Sequence, residues 1–176
     1  MAQPERTGLV ASAAAGDEVA FRQIIAAHHD DMRRVCSYVT RDEAVADEAA
    51  QAAWSVAWKK IGSVRDPARL RPWLVSVAVN EAKQLLRKRR RRSEIEIVRE
   101  APEEAGGIDP ATGIAVMDLR IALDRLDPDD RALLAMRYVA GFDSNELSAA
   151  LGISPSGVRS RIERIRTRLR QELGDD

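Results

Sequence analysis

Apolar residues recur every three or four positions along most of the chain, which is the pattern of amphipathic helices. In residues 17–40 this repeat consists of Phe21, Ile25, His28, Met32, Val35 and Val39. The same spacing predicts a second helix over residues 41–60 and a third from Pro67 or Pro72 to about residue 92. Apart from the ambiguous residues 95–98, no segment alternates as a strand does, so the pattern predicts an all-α fold.

The periodicity stops after residue 92. Residues 93–113 are acidic and contain two prolines and three glycines, a composition typical of a flexible linker between domains. We therefore predict two small helical domains, residues 16–92 and residues 114–176. Residues 1–15 are expected to form a flexible N-terminus.

The second predicted domain contains a helix-turn-helix signature. Residues 114–126 are predicted to form one helix, and the next begins at Asp127-Pro128 and runs to Gly141. A short helix over residues 145–151 precedes a longer one, and the two are separated by a turn. The residues that mark these boundaries are Ser144 as an N-cap, Gly152 in the turn, and Ser154 as an N-cap before Pro155.

The last helix has an apolar stripe between two rows of arginines. At about 100° per residue, one stripe contains Val158, Ile162, Ile165, Leu169 and Leu173. Arginines flank both edges, while small polar residues lie opposite the stripe. Such a helix can reach phosphates on both sides of a DNA groove and approach base edges at its centre. The candidates for base contact are Ser156, Arg159, Ser160 and Glu163.

The formal net charge of the 176 residues is zero, but the charges are segregated. Residues 83–92 and 155–170 are strongly basic, which predicts two separate contacts with a polyanion. No apolar run is long enough for a membrane span, and no secretion signal is recognisable. The lone Cys36 fits a reducing compartment, so a cytoplasmic location is expected. No catalytic, metal-binding or cofactor-binding constellation is found.

The two halves together resemble the extracytoplasmic-function (ECF) sigma factors of bacterial RNA polymerase. The segment LDPDDRALLAMRYVAGFDSNELSAALGISPSGVRSRIERIRTRLRQEL is similar to the promoter-reading C-terminal domain of that family. GDEVAFRQIIAAHHDDMRRV, ADEAAQAAWSVAWKKI and LRPWLVSVAVNEAKQLLRKRRRR resemble its N-terminal domain, in the same order. Gly157 departs from the pattern, because the family usually has Thr at this position, where it helps to organise the start of the recognition helix. The resemblance therefore implies no particular sequence preference at the −35 element.

This resemblance implies three sets of site residues. The polymerase-binding set, which would dock on the clamp helices of the β′ subunit, is Asp47, Glu48, Gln51 and Trp54. The set for the −10 element is Asn80, Lys83, Arg87, Lys88, Arg89 and Arg90, with Asn80 in a pocket for a base that has left the stack. The set for the −35 element is Ser154, Ser156, Arg159, Ser160, Arg161, Glu163, Arg164 and Arg166.

The resemblance further implies the partners of the protein. They are core RNA polymerase, promoter DNA and a separate anti-sigma factor, with no small-molecule substrate and no chemistry of its own. One alternative is a dimeric helix-turn-helix regulator that acts without polymerase. Another is a DNA-processing enzyme, which would need a catalytic Ser or Tyr constellation that residues 1–90 do not show.

Overall fold

The computed structural model describes the backbone of residues 3–96 and 114–174, and the side chains of residues 7–93 and 118–174. Within these ranges the regular structure is helical throughout, which confirms the all-α prediction. The α-helices are α1 (Gln3–Ala14), α2 (Glu18–Thr40), α3 (Glu43–Lys60), α4 (Leu70–Glu96), α5 (Ile114–Asp124), α6 (Pro128–Leu134), α7 (Ser144–Leu151) and α8 (Pro155–Leu173). Residues 97–113, most of the predicted linker, lie outside the described residues.

Helix α1 corrects the prediction of a flexible N-terminus. Val10 and Ala13 are buried, and the helix contacts α2 and the two 3₁₀ turns that precede α4. Alanine has the highest helix propensity, so a short alanine-rich segment needs only a few buried contacts to become ordered. Residues 3–14 are therefore helical and pack on the helix that follows.

Helices α2, α3 and α4 pack on one another and form the body of the N-terminal part. Asp17 caps α2 by accepting hydrogen bonds from the backbone N–H groups of Val19 and Ala20, and Asp42 caps α3 in the same way. A 3₁₀ turn at Pro67–Arg69 leads into α4. This helix therefore begins at Leu70, between Pro67 and Pro72, the two positions at which the sequence predicted its start. The buried face of α3 consists largely of alanines, and these small side chains allow close helix packing.

The C-terminal part contains the predicted helix-turn-helix. Ser154 caps α8 by accepting from the N–H of Gly157, and Gly152 adopts a φ of 69° in the turn, as predicted. The N-cap of α7 is Asp143, not Ser144. The Asp143 carboxylate accepts from two backbone N–H groups, while Glu146 accepts from the N–H of Asp143. This reciprocal capping box explains why the helix begins one residue earlier than predicted.

The two parts of the chain share a continuous hydrophobic core. Helices α2 and α4 contact α6, α7 and the π-helical turn at Ala135–Val139 that extends α6. Val39 of α2 and Met136 of the π-turn are both fully buried in the same cluster. The N-terminal and C-terminal parts are thus packed face to face in this structure.

Candidate nucleic-acid interface

The outward face of α8 presents the predicted base-contacting residues to solvent. Ser156, Arg159, Ser160 and Glu163 are all exposed. The opposite face is anchored, because Val158 and Ile165 are buried in the core. Ser154 is exposed, but its hydroxyl group caps the helix, so its first role is to hold the start of α8 in place.

The arginines of α8 have different environments. Arg161 donates from Nε to the Asp130 carboxylate at 2.7 Å, and Asp130 is only 18% exposed. Arg161 is therefore used within the domain and is not a free phosphate contact. Arg166 lies 3.5 Å from Glu163 in a solvent-exposed pair. Arg159 and Arg164 are exposed, and neither forms an ion pair within the described side chains.

On α4, most of the residues predicted to bind the −10 element are exposed. Asn80 is exposed, as are Arg87, Lys88 and Arg90. Arg89 donates to the Asp42 carboxylate at 2.8 Å. The pKa of Asp42 is lowered, mainly by the hydrogen bond from the backbone N–H of Val45 and further by Arg89. Arg89 thus has a structural partner at the start of α3.

Lys83 is the exception in the −10 set, because its ammonium group faces the C-terminal part of the chain. Its Nζ lies 2.8 Å from Oδ1 of Asp129, and its side chain is 17% exposed. The hydrogen bond from Lys83 is the main cause of the lowered pKa of Asp129. In this arrangement the ammonium group of Lys83 is bound by a carboxylate of the same chain.

The predicted polymerase-binding face lies on α3. Glu48 and Gln51 are exposed, as is Asp47. Asp47 accepts from Nε of Arg33 at 2.5 Å, and the same guanidinium group binds Glu43 at 2.7 Å. The hydrogen bond to Asp47 is the main cause of the raised pKa of Arg33. The sequence analysis missed Arg33, since the spacing along the chain does not show which α2 residue faces α3.

Trp54 is buried and belongs to the core rather than to a contact surface. Its side chain is 8% exposed, its ring packs edge-on against Phe21, and its Nε1–H donates to Nδ1 of His29 at 3.1 Å. Trp54 can therefore support α3 from inside but does not offer its ring to a partner. Trp58, about one turn further along α3, is 38% exposed and also packs edge-on against Phe21.

A groove of about 1080 Å³ lies between the two parts of the chain. Tyr38 of α2 and Tyr138 of the π-turn both line it, and both are more than half exposed. Its other apolar lining residues include Leu119, Leu123, Leu134 and Leu169. Exposed aromatic side chains in an apolar groove are typical of a protein-binding surface.

Two further observations limit the kinds of site. The described side chains contain no group of three His, Cys, Asp or Glu residues that could hold a metal ion. Among residues 3–96 and 114–174, no helix combines the length and the apolar composition that a membrane span requires.

Both halves of the chain match families of transcription proteins. The sigma-70 region 2 family model matches residues 24–92, and the sigma-70 region 4 model matches residues 117–169. The ECF RNA polymerase sigma factor SigM of Mycobacterium tuberculosis is 31% identical over 166 residues, which cover 94% of this chain and 83% of that protein. This chain belongs to the ECF sigma factor family.

Other ECF and related sigma factors are similar over nearly the whole chain. The RNA polymerase sigma factor CarQ of Myxococcus xanthus is 29% identical over 167 residues, covering 91% of this chain and 92% of CarQ. The chain also spans 42% of the length of the protein named probable RNA polymerase sigma factor RfaY of Xanthomonas campestris, at 31% identity over 171 residues. Family membership thus rests on both domains, and it favours the sigma factor over the dimeric regulator.

Solved sigma factor structures share the fold. CnrH in complex with the cytosolic domain of CnrY has a TM-score of 0.67 and 27% identity, covering 96% of each chain. The sigma factor RpoE of Bartonella quintana, solved with the anti-sigma factor NepR, has a TM-score of 0.71 and 24% identity, covering 89% of this chain and 98% of RpoE. The helical architecture of this ECF sigma factor is therefore that of solved members of its family.

Proposed function

We propose that this ECF sigma factor binds core RNA polymerase, recognises the −35 and −10 promoter elements and promotes DNA melting for transcription initiation. The observation that carries the proposal is that one chain presents two exposed nucleic-acid faces, on α8 and on α4, each on a part of the chain that matches a sigma-70 region. Residues 16–92 act as the polymerase and −10 domain, and residues 114–176 as the −35 domain. The acidic residues 93–113 connect them.

At the −35 element, α8 enters the major groove with its N-terminal half. Ser156, Arg159, Ser160 and Glu163 contact base edges, because they are exposed on the first turns of the helix. Arginine is suited to guanine, and glutamate can accept from cytosine. Arg164 and Arg166 contact phosphates, and Arg161 keeps α8 attached to α6 through Asp130.

At the −10 element, Asn80 binds the edge of a base that has left the stack. The exposed basic end of α4 contacts phosphates through Arg87, Lys88 and Arg90. Phosphate contacts contribute affinity without sequence information and weaken as salt rises. Arg89 joins them only if it leaves Asp42, and Lys83 only if it leaves Asp129.

Polymerase binding takes place on α3. Glu48 and Gln51 contact the clamp helices of the β′ subunit, since both are exposed on one side of the helix. Asp47 has two alternative roles. It binds a basic residue of the polymerase after releasing Arg33, or it stays paired with Arg33 and keeps α2 and α3 together. Trp54 supports the surface from inside. The site of action is the cytoplasm, where core polymerase is found, and the protein has no catalytic activity of its own.

An anti-sigma factor occupies the groove between the two parts of the chain. The sigma factor CnrH, which is 27% identical to this chain, was solved in complex with the cytosolic domain of CnrY. The groove is lined by leucines, by the exposed Tyr38 and Tyr138 and by charged side chains, which together suit an amphipathic helix of a partner. Binding there would hold both DNA-binding domains at once.

The test combines association with core polymerase and run-off transcription over a promoter library. The wild-type chain should bind core polymerase and direct specific initiation. Glu48→Lys should weaken binding to core, whereas Asn80→Ala and Arg159→Ala should leave core binding intact and reduce run-off product. Arg22→Ala is the matched control, because Arg22 is an exposed arginine on α2 that pairs only with Glu18 among the described residues. A chain that does not associate with core polymerase would disprove the proposal.

A further inference from the structure

The 61–71 loop connects α3 to α4, the helix that carries the residues proposed to bind the −10 element. The family resemblance implies that this loop forms the wall of the −10 pocket and determines its base preference. Polar side chains are available for such a role, and the exposed ones are Ser63, Arg65, Asp66 and Arg69. The conformation of the loop therefore decides whether these side chains meet a base in the correct place.

Two short 3₁₀ turns, Ile61–Ser63 and Pro67–Arg69, make up much of this loop. The backbone N–H of Val64 donates to a carbonyl oxygen of the first turn at 3.0 Å. The N–H of Arg69 donates to the carbonyl oxygen of Asp66 at 2.9 Å. Turns of three residues have little stability of their own, because the hydrogen-bond geometry of a 3₁₀ helix is poor. The elements that pack on the loop must therefore fix its conformation.

Helix α1 packs on both turns of the loop. Helix α3 contacts the first turn and α4 the second, since they continue directly from these turns, whereas α1 contacts both. Val10 of α1 lies in the same buried cluster as Ile61 and Leu70, which anchor the two ends of the loop. A Cβ atom on Gly62 would lie 3.9 Å from the Cβ of Ala14, so the end of α1 passes directly beside the first turn.

A tight turn fixes the direction of α1. Gly16 has a φ of 96°, and its N–H donates to the carbonyl oxygen of Ala13 at 3.1 Å. The N–H of Asp17 donates to the carbonyl oxygen of Ser12 at 3.0 Å. These two bonds form the Schellman motif that ends many helices at a glycine. Asp17 is also the N-cap of α2, so α1 is held in one orientation relative to α2.

We propose that α1 is a positioning element of the −10 site, which holds the 61–71 loop in the conformation that reads the base. This inference rests on the proposed function. Val10 is a positioning residue that acts through packing, because its side chain is 4% exposed and does not reach DNA. Without this support the loop occupies other conformations as well, so the preferred −10 base is less strongly favoured over the others.

The support of the loop is measured on the free chain by amide hydrogen exchange. The N–H groups of Val64 and Arg69 report on the two parts of the loop. Val10→Ala should make both exchange about threefold faster or more, because it removes buried contacts beneath them. The matched control is Val19→Ala, the same change at a valine of α2 that is 61% exposed, and it should leave both rates unchanged. Equal rates in Val10→Ala and Val19→Ala would overturn the inference.

Two glycine variants change α1 without removing a buried side chain. Gly16→Ala places an alanine at a φ of 96°, so it should loosen the turn and speed the exchange of the loop. Gly8→Ala, at an α1 position where a Cβ meets no atom within 4 Å, should favour the helix and slow this exchange by up to about fivefold. This pair decides the question if circular dichroism shows that Val10→Ala is not folded. Equal loop exchange in the two glycine variants would contradict a role for α1.

The effect on promoter reading is measured by run-off transcription with core polymerase over a promoter library. The readout is the ratio of product from the preferred −10 sequence to product from its single-base variants. Val10→Ala should lower this ratio by about threefold, part of the discrimination that a base contact provides, whereas Val19→Ala should not. The preference at the −35 element should stay the same in both. A variant that is merely less stable loses product from all promoters equally, so an unchanged ratio in Val10→Ala would refute the positioning role.

The outcomes for α1 and for the proposed function are separable. If the wild-type chain does not associate with core polymerase, the proposed function fails, and hydrogen exchange still decides whether α1 supports the loop. If the wild-type chain initiates transcription and the Val10→Ala ratio equals the Val19→Ala ratio, only the positioning role of α1 is lost.

Discussion

Arg159 and Arg161 are two residues apart on α8, but they face different surroundings. Arg159 is exposed, and Arg161 binds Asp130, whose carboxylate is 18% exposed. Arg161→Ala should lower the free energy of unfolding by about 1–3 kcal/mol, because it leaves a largely buried carboxylate without its partner. Arg159→Ala should change it by less than about 0.5 kcal/mol. Chemical denaturation of the two variants measures this difference.

In DNA binding we expect the opposite result: Arg159→Ala should have the larger effect on promoter affinity and Arg161→Ala the smaller one. With core polymerase present, Arg159→Ala should weaken promoter affinity by about 1–3 kcal/mol, as the loss of a base contact does. Arg161→Ala should keep promoter affinity at temperatures where it remains folded. Equal stability of the two variants would show that the Arg161–Asp130 pair does not support the domain.

Cys36 is buried, and its surroundings disfavour the thiolate. Burial raises the pKa of the Cys36 thiol from 9.0 to about 12. Between these pH values the unfolded chain releases the proton and the folded chain retains it. The contribution to stability is therefore complete below pH 9 and decreases as the pH rises from 9 towards 12, by up to about 1.4 kcal/mol per pH unit.

A comparison of wild type with Cys36→Ala isolates this contribution. Other groups that titrate in this range are common to both chains, so only the wild type has the contribution of the Cys36 proton. Its free energy of unfolding should therefore fall more steeply with pH than that of Cys36→Ala, by the equivalent of up to one bound proton. Denaturation at pH values from 8 to about 11 gives both slopes. Parallel slopes for the two chains would contradict the raised pKa.

Helix α7 begins with a capping box at Asp143, one residue before the N-cap that the sequence analysis predicted at Ser144. The Asp143 carboxylate accepts from the N–H groups of Asn145 and Glu146, and Glu146 accepts from the N–H of Asp143. Asp143→Ala should lower the free energy of unfolding by about 1–2 kcal/mol, and the melting temperature by about 2–8 °C. Asp143→Asn should stay near wild type, since Asn is an equally good N-cap. A loss as large in Asp143→Asn as in Asp143→Ala would contradict this assignment.

Helix α1 shows why a short alanine-rich segment escapes a periodicity argument. Alanines lie on both faces of α1, so its apolar repeat is weak. Of its described side chains, residues 7–14, only Val10 and Ala13 are buried. Helices α2 and α8 were predictable because each carries large apolar side chains on one face. Helix ends were harder, as the shifted N-cap of α7 shows.

For the whole molecule, Arg131 connects the two parts of the chain. Its guanidinium group donates to the carbonyl oxygens of Val39, Leu126 and Asp124, and burial lowers its pKa. Arg131→Lys should lower the free energy of unfolding by about 2 kcal/mol, because one ammonium group cannot reach all three oxygens. It should also divide a single calorimetric transition into two, as the shared core weakens.

Arg22→Lys is the control for Arg131→Lys, since Arg22 is an exposed arginine whose one described partner is Glu18. This control should leave both the stability and the shape of the transition unchanged. An unaltered single transition in Arg131→Lys would mean that the two parts do not unfold as one unit through this residue.

The sequence by itself determined the helical class, the helix-turn-helix and the family. These depend on local features, such as the spacing of apolar residues, the N-cap at Ser154, and motifs in their order along the chain. The tertiary structure alone decided which charged side chains are available to bind a partner and which are paired within the chain. Arg33 binds Asp47, Asp130 takes Arg161, and Asp129 covers Lys83. Such pairs join residues distant in sequence, and their formation depends on how helices pack, which no local pattern records.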